Sequence, residues 1–392
     1  MRMWVQSWFS RAAAALLLIL VANGLAAAAA QPHYVITNDD SPSSNSVSFY
    51  TVEASGLLKL KRVVVTGGFG IGGGFFATNR VAVLDSGSEE CVFASEAATG
   101  DIVGINVSTL KVTDTVFGSA GDAGTSNGIG LALNANFLYA SFTDSNTIGT
   151  FQLQPGCLLT FVNDVSVAGL QGGIIDGMAL HGNILVATYG DGSIESFNIS
   201  AGTPVSNGDE ENSTAFLKSR GATYPNSVEI TKDGRFAIFG DTSTSTVIEV
   251  AALGQGKLSQ THAHFLGDSR GSSNILLSPD ETLLYISNTQ GDRVTAVSFD
   301  KSNATIAAGC ASGPLKGYSV DWSYLAALAL SSNTGTGGAL YVAEFGGTSS
   351  IALVQVTSTG GKCSLTEQSG SPIADPNSPG LLSIDSFPPR SF

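Results

Sequence analysis

Leu283–Asp300, LLYISNTQGDRVTAVSFD, alternates apolar and polar positions, breaks at a polar turn around Thr289–Asp292, and then resumes the alternation. Period-two apolar positions on both arms of a glycine-containing turn predict a β-hairpin. The pattern recurs as HYVITNDDSPSSNSVSFYTV from His33, CVFASEAATGDIVGINV from Cys91 and FLYASFTDSNTIGTFQL from Phe137. It continues as ILVATYGDGSIESFNI from Ile184, FAIFGDTSTSTVIEV from Phe236 and ALYVAEFGGTSSIALVQV from Ala339. A spacing of roughly 50 residues is the size of a four-stranded propeller blade. Each unit then needs an inner strand upstream of its hairpin. RVAVLDSG from Arg80, IGLALNA from Ile129, IIDGMALHG from Ile174, SVEITKDG ahead of Phe236, ILLSPDE ahead of Leu283 and LAALALSS from Leu325 fill that place. The first hairpin has no such segment before it; PGLLSID, Pro379–Asp385, supplies the missing copy. The expected fold is all-β, a seven-bladed β-propeller of four-stranded antiparallel blades. Its C-terminal strand completes the N-terminal blade and so leaves no bare sheet edge.

Arg2 and Arg11, the run AAAALLLILVANGLAAAAA and Gln31 have the layout of a secretory signal peptide over residues 1–30. That run is short for a membrane span and leads directly into the first hairpin. The expected product is a single propeller domain over 31–392, secreted or periplasmic, with no membrane span after signal removal. Loss of Arg2 and Arg11 takes the formal charge from −14 to −16. Without a basic run, nucleic acid is excluded as a partner, and a monomer is expected. Cys91, Cys157, Cys310 and Cys363 are even in number in an exported chain, so disulfides are allowed in three connectivities. Placement in neighbouring blades favours Cys91–Cys157 and Cys310–Cys363, with buried or free thiols as the alternative. Four Asn-x-Ser/Thr sequons, at Asn106, Asn198, Asn212 and Asn303, matter only in a glycosylating host.

Repeats such as LLYISN, ALYVAE and HYVITN, joined to SVEITKDGRF and ILLSPDETLLY, resemble the YVTN-type repeats of the lactonase-like seven-bladed propellers. That family includes the propeller form of 6-phosphogluconolactonase and the fungal carboxymuconate cyclase, and the resemblance covers the whole mature chain. It implies Pro-His-Ser and Pro-Arg-His at the entrances of two successive inner strands and Asn-Glu at a nearby strand end. This chain has Pro225-Asn226-Ser227, Ser272-Ser273-Asn274 and Asn288-Thr289 instead, with Arg270 close by but out of register. Opening a lactone requires a base and an oxyanion partner, and Asn cannot take a proton near neutral pH.

Two columns are expected at one mouth of the central channel. The ends of the second strands give Asn38, Glu96, Phe142, Tyr189, Asp241, Asn288 and Glu344. The entrances to the inner strands give Asn127, Asp176, Asn226, Asn274, Tyr324 and Asn377, with Trp322 and Arg270 beside them. Asn38, Asn226, Asn274, Asn288, Trp322, Tyr324 and Tyr189 are the ligand-binding candidates, for a small polar ligand or a protein. The alternative is that Asn and Asp simply serve turns, whose dihedrals they tolerate. Were the chain a lactonase-type hydrolase, Asp241, Glu344 or Glu96 would be the base and Arg270 the electrophile. No cofactor is expected, although Glu96, Asp241 and Glu344 carry the oxygens that Ca²⁺ prefers.

Other motifs read more plainly. His262 and His264 share a strand face, in the position of surface histidines rather than a metal pair. Gly267–Gly271 matches G-x-S-x-G, but an inner β-strand follows where a nucleophile elbow needs a helix. The glycine cluster Gly67–Gly74 lacks the helix of a dinucleotide site and reads as a loosened connection between the first two blades. Gly208–Phe216 reads as a solvated loop.

Overall fold

The computed structural model describes residues 33–392 other than 74–76, 78, 119–127, 211–214, 216–217, 219–223, 242–246, 267–270, 273, 289–292, 317–323, 332–336, 346–348, 360–361, 381–382 and 390–392. The first blade contains β1 (Tyr34–Asn38), β2 (Ser46–Val52) and β3 (Leu58–Val65), and the second β4 (Val81–Asp85), β5 (Glu90–Glu96), β6 (Asp101–Asn106) and β7 (Lys111–Phe117). The third contains β8 (Ile129–Leu133), β9 (Phe137–Phe142), β10 (Thr147–Gln154) and β11 (Leu158–Ser166). The fourth has β12 (Ile175–His181), β13 (Ile184–Tyr189), β14 (Ile194–Asn198) and the two-residue β15 (Val205–Ser206). β16 (Pro225–Ile230), β17 (Phe236–Asp241), β18 (Val247–Gly254) and β19 (Lys257–Phe265) form the fifth. β20 (Asn274–Leu277), β21 (Leu283–Ser287), β22 (Val294–Asp300) and β23 (Thr305–Ala311) form the sixth. The seventh has β24 (Tyr324–Ser331), β25 (Gly337–Phe345), β26 (Ser350–Thr359) and β27 (Lys362–Glu367), with β28 (Ile373–Ala374) added against β26.

The last strand, β29 (Ser383–Phe387), lies in the first blade, in the order β29-β1-β2-β3. Its register sets Ile36 opposite Asp385 and Asn38 opposite Ser383. The ring closes as the repeat pattern requires, because β1 would otherwise present bare amides and carbonyls. Successive inner strands touch all the way round, from β29 through β4, β8, β12, β16, β20 and β24 back to β29.

Burial follows from position in the blade. Inner and second strands are covered on both faces by neighbouring blades, so β1 (YVITN) is buried throughout. The outer β7 (KVTDTVF) alternates exposed and half-buried residues, because its edge faces water. Among the described residues, seven apolar clusters lie one between each pair of adjacent blades. One of them packs Val35, Tyr50 and Ile384 of the first blade on Tyr341, Ile351 and Leu353 of the seventh.

Both disulfides favoured by blade placement are present. Cys91–Cys157 ties the second blade to the third, and Cys310–Cys363 ties the outer strands of the sixth and seventh. Two expectations need correction. The glycine cluster is no loosened connection: a Cβ on Gly70 would stand 2.2 Å from the Asp40 carbonyl carbon, and one on Gly68 2.2 Å from Glu96 Oε2. Gly70 N also donates to Ser41 O (2.8 Å), so glycine is required where this segment presses on the first two blades. The insertion at 208–216 is not simply a solvated loop: Glu210 and Ala215 are helical, and Asp209 is buried.

Candidate functional site

Antiparallel pairing puts the start of each inner strand beside the end of the second strand. Ile129 therefore faces Phe142, Ile175 faces Tyr189, Pro225 faces Asp241, and Asn274 faces Ser287. Leu325 faces Glu344 in the seventh blade, and Asn38 faces Ser383 in the first. In these blades the two sets of strand ends lie side by side. In the fourth and fifth blades the inner strand bulges as it enters, and Asp176 and Asn226 are the extra residues. A bulge of this kind re-aims the side chain it carries. Gly177, next to Asp176, has no room for a Cβ, which would lie 2.4 Å from Asn226 O.

Several candidates are spent on the protein itself. Asn38 Nδ2 donates to Ser95 O (2.7 Å) and Arg80 O (3.1 Å), while its Oδ1 accepts from Asn45 Nδ2 and the Asp40 amide. Asn288 donates to Gly271 O and accepts from Thr295 Oγ1. The Tyr189 hydroxyl donates to Glu195 Oε2 at 3.0 Å. Asn226 and Asn274 are buried at their strand entrances. Tyr324 begins β24, and Arg270, Trp322 and Asn127 lie outside the described residues.

The three candidate bases sit on different blades, each at most 1 % exposed. Glu96 accepts hydrogen bonds at Oε1 from Thr66 Oγ1 and the Gly68 amide, and its Oε2 has no partner. Burial pushes its carboxyl up to about 7, against the Thr66 bond and with Asp101 adding to the rise. Glu344 accepts from Ser350 Oγ, leaves Oε1 without a partner, and is likewise pushed by burial to about 7. Asp241 Oδ2 accepts the Tyr224 amide at 2.9 Å. Among the described residues no group of three or more His, Cys, Asp or Glu is placed to hold a metal ion. His264 is half-buried on the outer β19, and the His262 side chain lies outside those described.

Asp176 was among the residues expected at the mouth, but the buried charges beside it, Arg80 and Asp40, were missed from the sequence. Arg80, 1 % exposed, places Nη1 2.6 Å from Asp40 Oδ2 and donates from Nε to Ala77 O. Asp176 of the fourth blade also acts on this guanidinium electrostatically. The Ala77 amide lies on the Asp176 side, yet neither carboxyl oxygen has a partner in hydrogen-bond geometry. Complete burial holds the Asp176 carboxyl well above the ordinary range, only partly offset by Arg80. The Asn79 carbonyl accepts from Leu131 N (2.6 Å), and Asn79 Nδ2 reaches Met178 O at 3.5 Å. The 77–80 segment thereby ties the first four blades together across the channel. The sequence signal available was Arg80 itself, a lone cation heading an inner strand.

The model of the family described as lactonase, 7-bladed beta-propeller, matches residues 92–376. A Lactobacillus plantarum protein of solved structure superposes with a TM-score of 0.66 at 14% identity, over 91% of this chain and 99% of its own. A functionally unknown protein from Desulfotomaculum acetoxidans gives 0.63 at 15%, over 90% and 98%. A candidate 6-phosphogluconolactonase from Bacteroides uniformis gives 0.54 at 12%, over 70% and 80%. At such identities the likeness carries the fold alone. Curated proteins give no match to the chain.

Proposed function

The chain belongs to the seven-bladed lactonase propeller family, and from that premise we propose that it is an exported binding propeller that takes a small polar ligand, or a protein, at the mouth of its channel. One observation carries this reading over hydrolysis. Glu96, Asp241 and Glu344 are withdrawn from solvent and fixed by hydroxyls or amides of the protein, as is Arg80 by Asp40. A base must reach the proton that it removes, and these groups instead stiffen the rim. A rim fixed in advance suits recognition, since little side-chain freedom is lost on binding. Half-buried Tyr224, whose hydroxyl lies within electrostatic reach of Asp176 in the fourth blade, joins Asn226, Asn274, Tyr324 and Trp322 as the proposed ligand contacts.

Lactone hydrolysis is the second reading. It is favoured by Glu96 and Glu344, whose carboxyls near 7 are poised for acid–base work at neutral pH. Incubation of the 31–392 chain with sugar and aliphatic lactones, following acid release with and without Ca²⁺, separates the two. Turnover lost in Glu96→Gln, Glu344→Gln or Asp241→Asn, with folding intact, replaces the binding reading by hydrolysis. No turnover, with thermal shifts on adding monosaccharides or sugar acids that vanish in Tyr224→Phe and Asn226→Ala, supports binding.

A further inference from the structure

The two ends of the ring meet at a pair of buried acids. Asp39 lies just past β1, and Asp375 just past β28, on the stretch that returns from the seventh blade to β29. They are 0% and 1 % exposed. Thr37 Oγ1 stands 2.8 Å from Asp39 Oδ1 and 3.2 Å from Asp375 Oδ2. A hydroxyl has one proton and can donate to one of them only. Asp39 Oδ2 already accepts from Ser46 Oγ (2.5 Å) and Ser48 Oγ (2.9 Å), and Asp375 Oδ1 accepts the Asn377 amide (3.1 Å). With both acids ionised, the cluster is one donor short and carries two negative charges away from water.

The ionisable groups that face the pair are few. From the turn after β1 comes Asp39 and from the returning segment Asp375, each acting on the other, and β2 adds Tyr50. The Tyr50 hydroxyl points towards Asp375 without meeting hydrogen-bond geometry, and as a neutral phenol it brings no positive charge. Among the described residues, no Lys, Arg or His is among the main influences on either carboxyl. Two buried carboxylates within reach of one hydroxyl do not both ionise readily, and a pair with no cation among its main influences is the case in which one proton is retained.

We propose that Asp39 and Asp375 share a single proton across the closing seam, and that this proton latches the seventh blade to the first. It supplies the donor that Thr37 cannot, and it leaves the site with one negative charge, which the Thr37, Ser46 and Ser48 hydroxyls and the Asn377 amide solvate. In agreement, burial and then the Asp375 charge push the Asp39 carboxyl up to about 8, and Asp375 is raised by its own burial. An unfolded aspartate ionises near 4. Between there and about 8 the folded chain holds a proton that the unfolded chain has lost. The latch is therefore strongest in acid, weakens as the pH rises through that window, and changes no further above it.

The test is urea unfolding of the 31–392 chain, of Asp375→Asn and of Asp39→Asn, each from pH 5 to 9. An asparagine amide supplies the missing donor without a titrating proton. The folded-to-unfolded ratio of the wild type should fall, relative to either variant, by up to about tenfold per pH unit within the window. Thr37→Val removes the shared hydroxyl but keeps both acids, and should retain the wild-type slope. Equal slopes in the wild type and in both Asn variants overturn the proposal. A second measurement needs no variant to fold: carboxyl carbon NMR of the wild type labelled at aspartate. A pair of aspartate resonances moving together, with a midpoint well above pH 5, is expected; aspartates that all titrate singly below pH 5 would also overturn it.

Discussion

Blade seven is held differently on its two flanks. On one side it packs Leu340, Val342 and Val354 against Leu276, Tyr285 and Val294 of blade six, and Cys310–Cys363 ties the outer strands. On the other side it packs Tyr341, Ala343 and Leu353 against Val35, Tyr50 and Ile384 of blade one, and no disulfide is present. The apolar layers are alike in kind. The ties are not. The closing flank relies on a strand borrowed from the far end of the chain, on the Tyr341 hydroxyl bonded to Gly56 O (2.8 Å), and on the Asp39–Asp375 cluster. Apolar burial thus sets the geometry of every seam, while the directional ties decide how each seam responds to redox conditions or pH.

Removing β29 breaks the comparison most severely. A chain ending at 378 loses every hydrogen bond between β1 and its inner neighbour, together with Ile384 and Phe387 from two interblade layers. The expected loss approaches the whole stability of a domain, about 5–15 kcal/mol. It should appear as an absent cooperative transition in urea, and a sharp wild-type-like transition would refute the role assigned to β29.

Arg80→Met comes next. It leaves Asp40 buried without its cation, and loss of one partner of a buried pair costs about 3–5 kcal/mol. Asp40→Asn with Arg80→Met should recover part of this in a double-mutant cycle, because the stranded charge is then gone. Full additivity of the two changes would mean that the pair does not act as a unit.

The stapled seams come third. Replacing Cys91 and Cys157 together by Ala should cost about 2–4 kcal/mol. The cost should be the same from pH 5 to 8, since neither the bond nor the replacing alanines titrate there. A pH-dependent penalty would show that the stapled flank is not the simple covalent joint that the comparison supposes.

How much of this was legible in sequence depends on the range of the interaction. Hairpins with period-two patterns are local, so Leu283–Asp300 and its copies revealed the blades, and the surplus copy at Pro379–Asp385 revealed the closure. The repeat also placed the cysteines in neighbouring blades, which favoured the pairing found without excluding free thiols. The pairing of inner-strand starts with second-strand ends was legible for the same reason: it follows from strand register. Burial of those ends was not. Asn38 and Asn288 look identical to ligand-binding amides until their partners on Arg80, Ser95 and Gly271 are known. Arg80, Asp40 and Asp176 come from three blades, and Asp39 and Asp375 are brought together only by closure of the ring. No spacing rule marks such sets. Gly68 and Gly70 were misread because glycine serves a loose turn and a crowded contact equally well.

The smallest effect sharpens the contrast within the seventh blade itself. Glu344 is buried in β25, between the stapled flank and the closing one, and its carboxyl is raised to about 7 by burial, lowered somewhat by Ser350 and raised further by Glu367. An unfolded glutamate ionises near 4.3. Across that interval the folded chain binds more protons, so the Glu344 contribution falls as pH rises from about 4.5 to 7 and is level beyond. Glu344→Gln keeps the shape and the partner for Ser350 but cannot ionise. Its stability should match the wild type near pH 4.5 and exceed it modestly at pH 8, by the midpoint of urea unfolding. The same substitution combined with Asp375→Asn should remove two separate parts of the pH slope additively, because each acid acts on its own cluster. Coupling between the two would mean that the seventh blade transmits a proton's loss at its closing seam into its own sheet, and the two flanks would then have to be treated as one titrating unit.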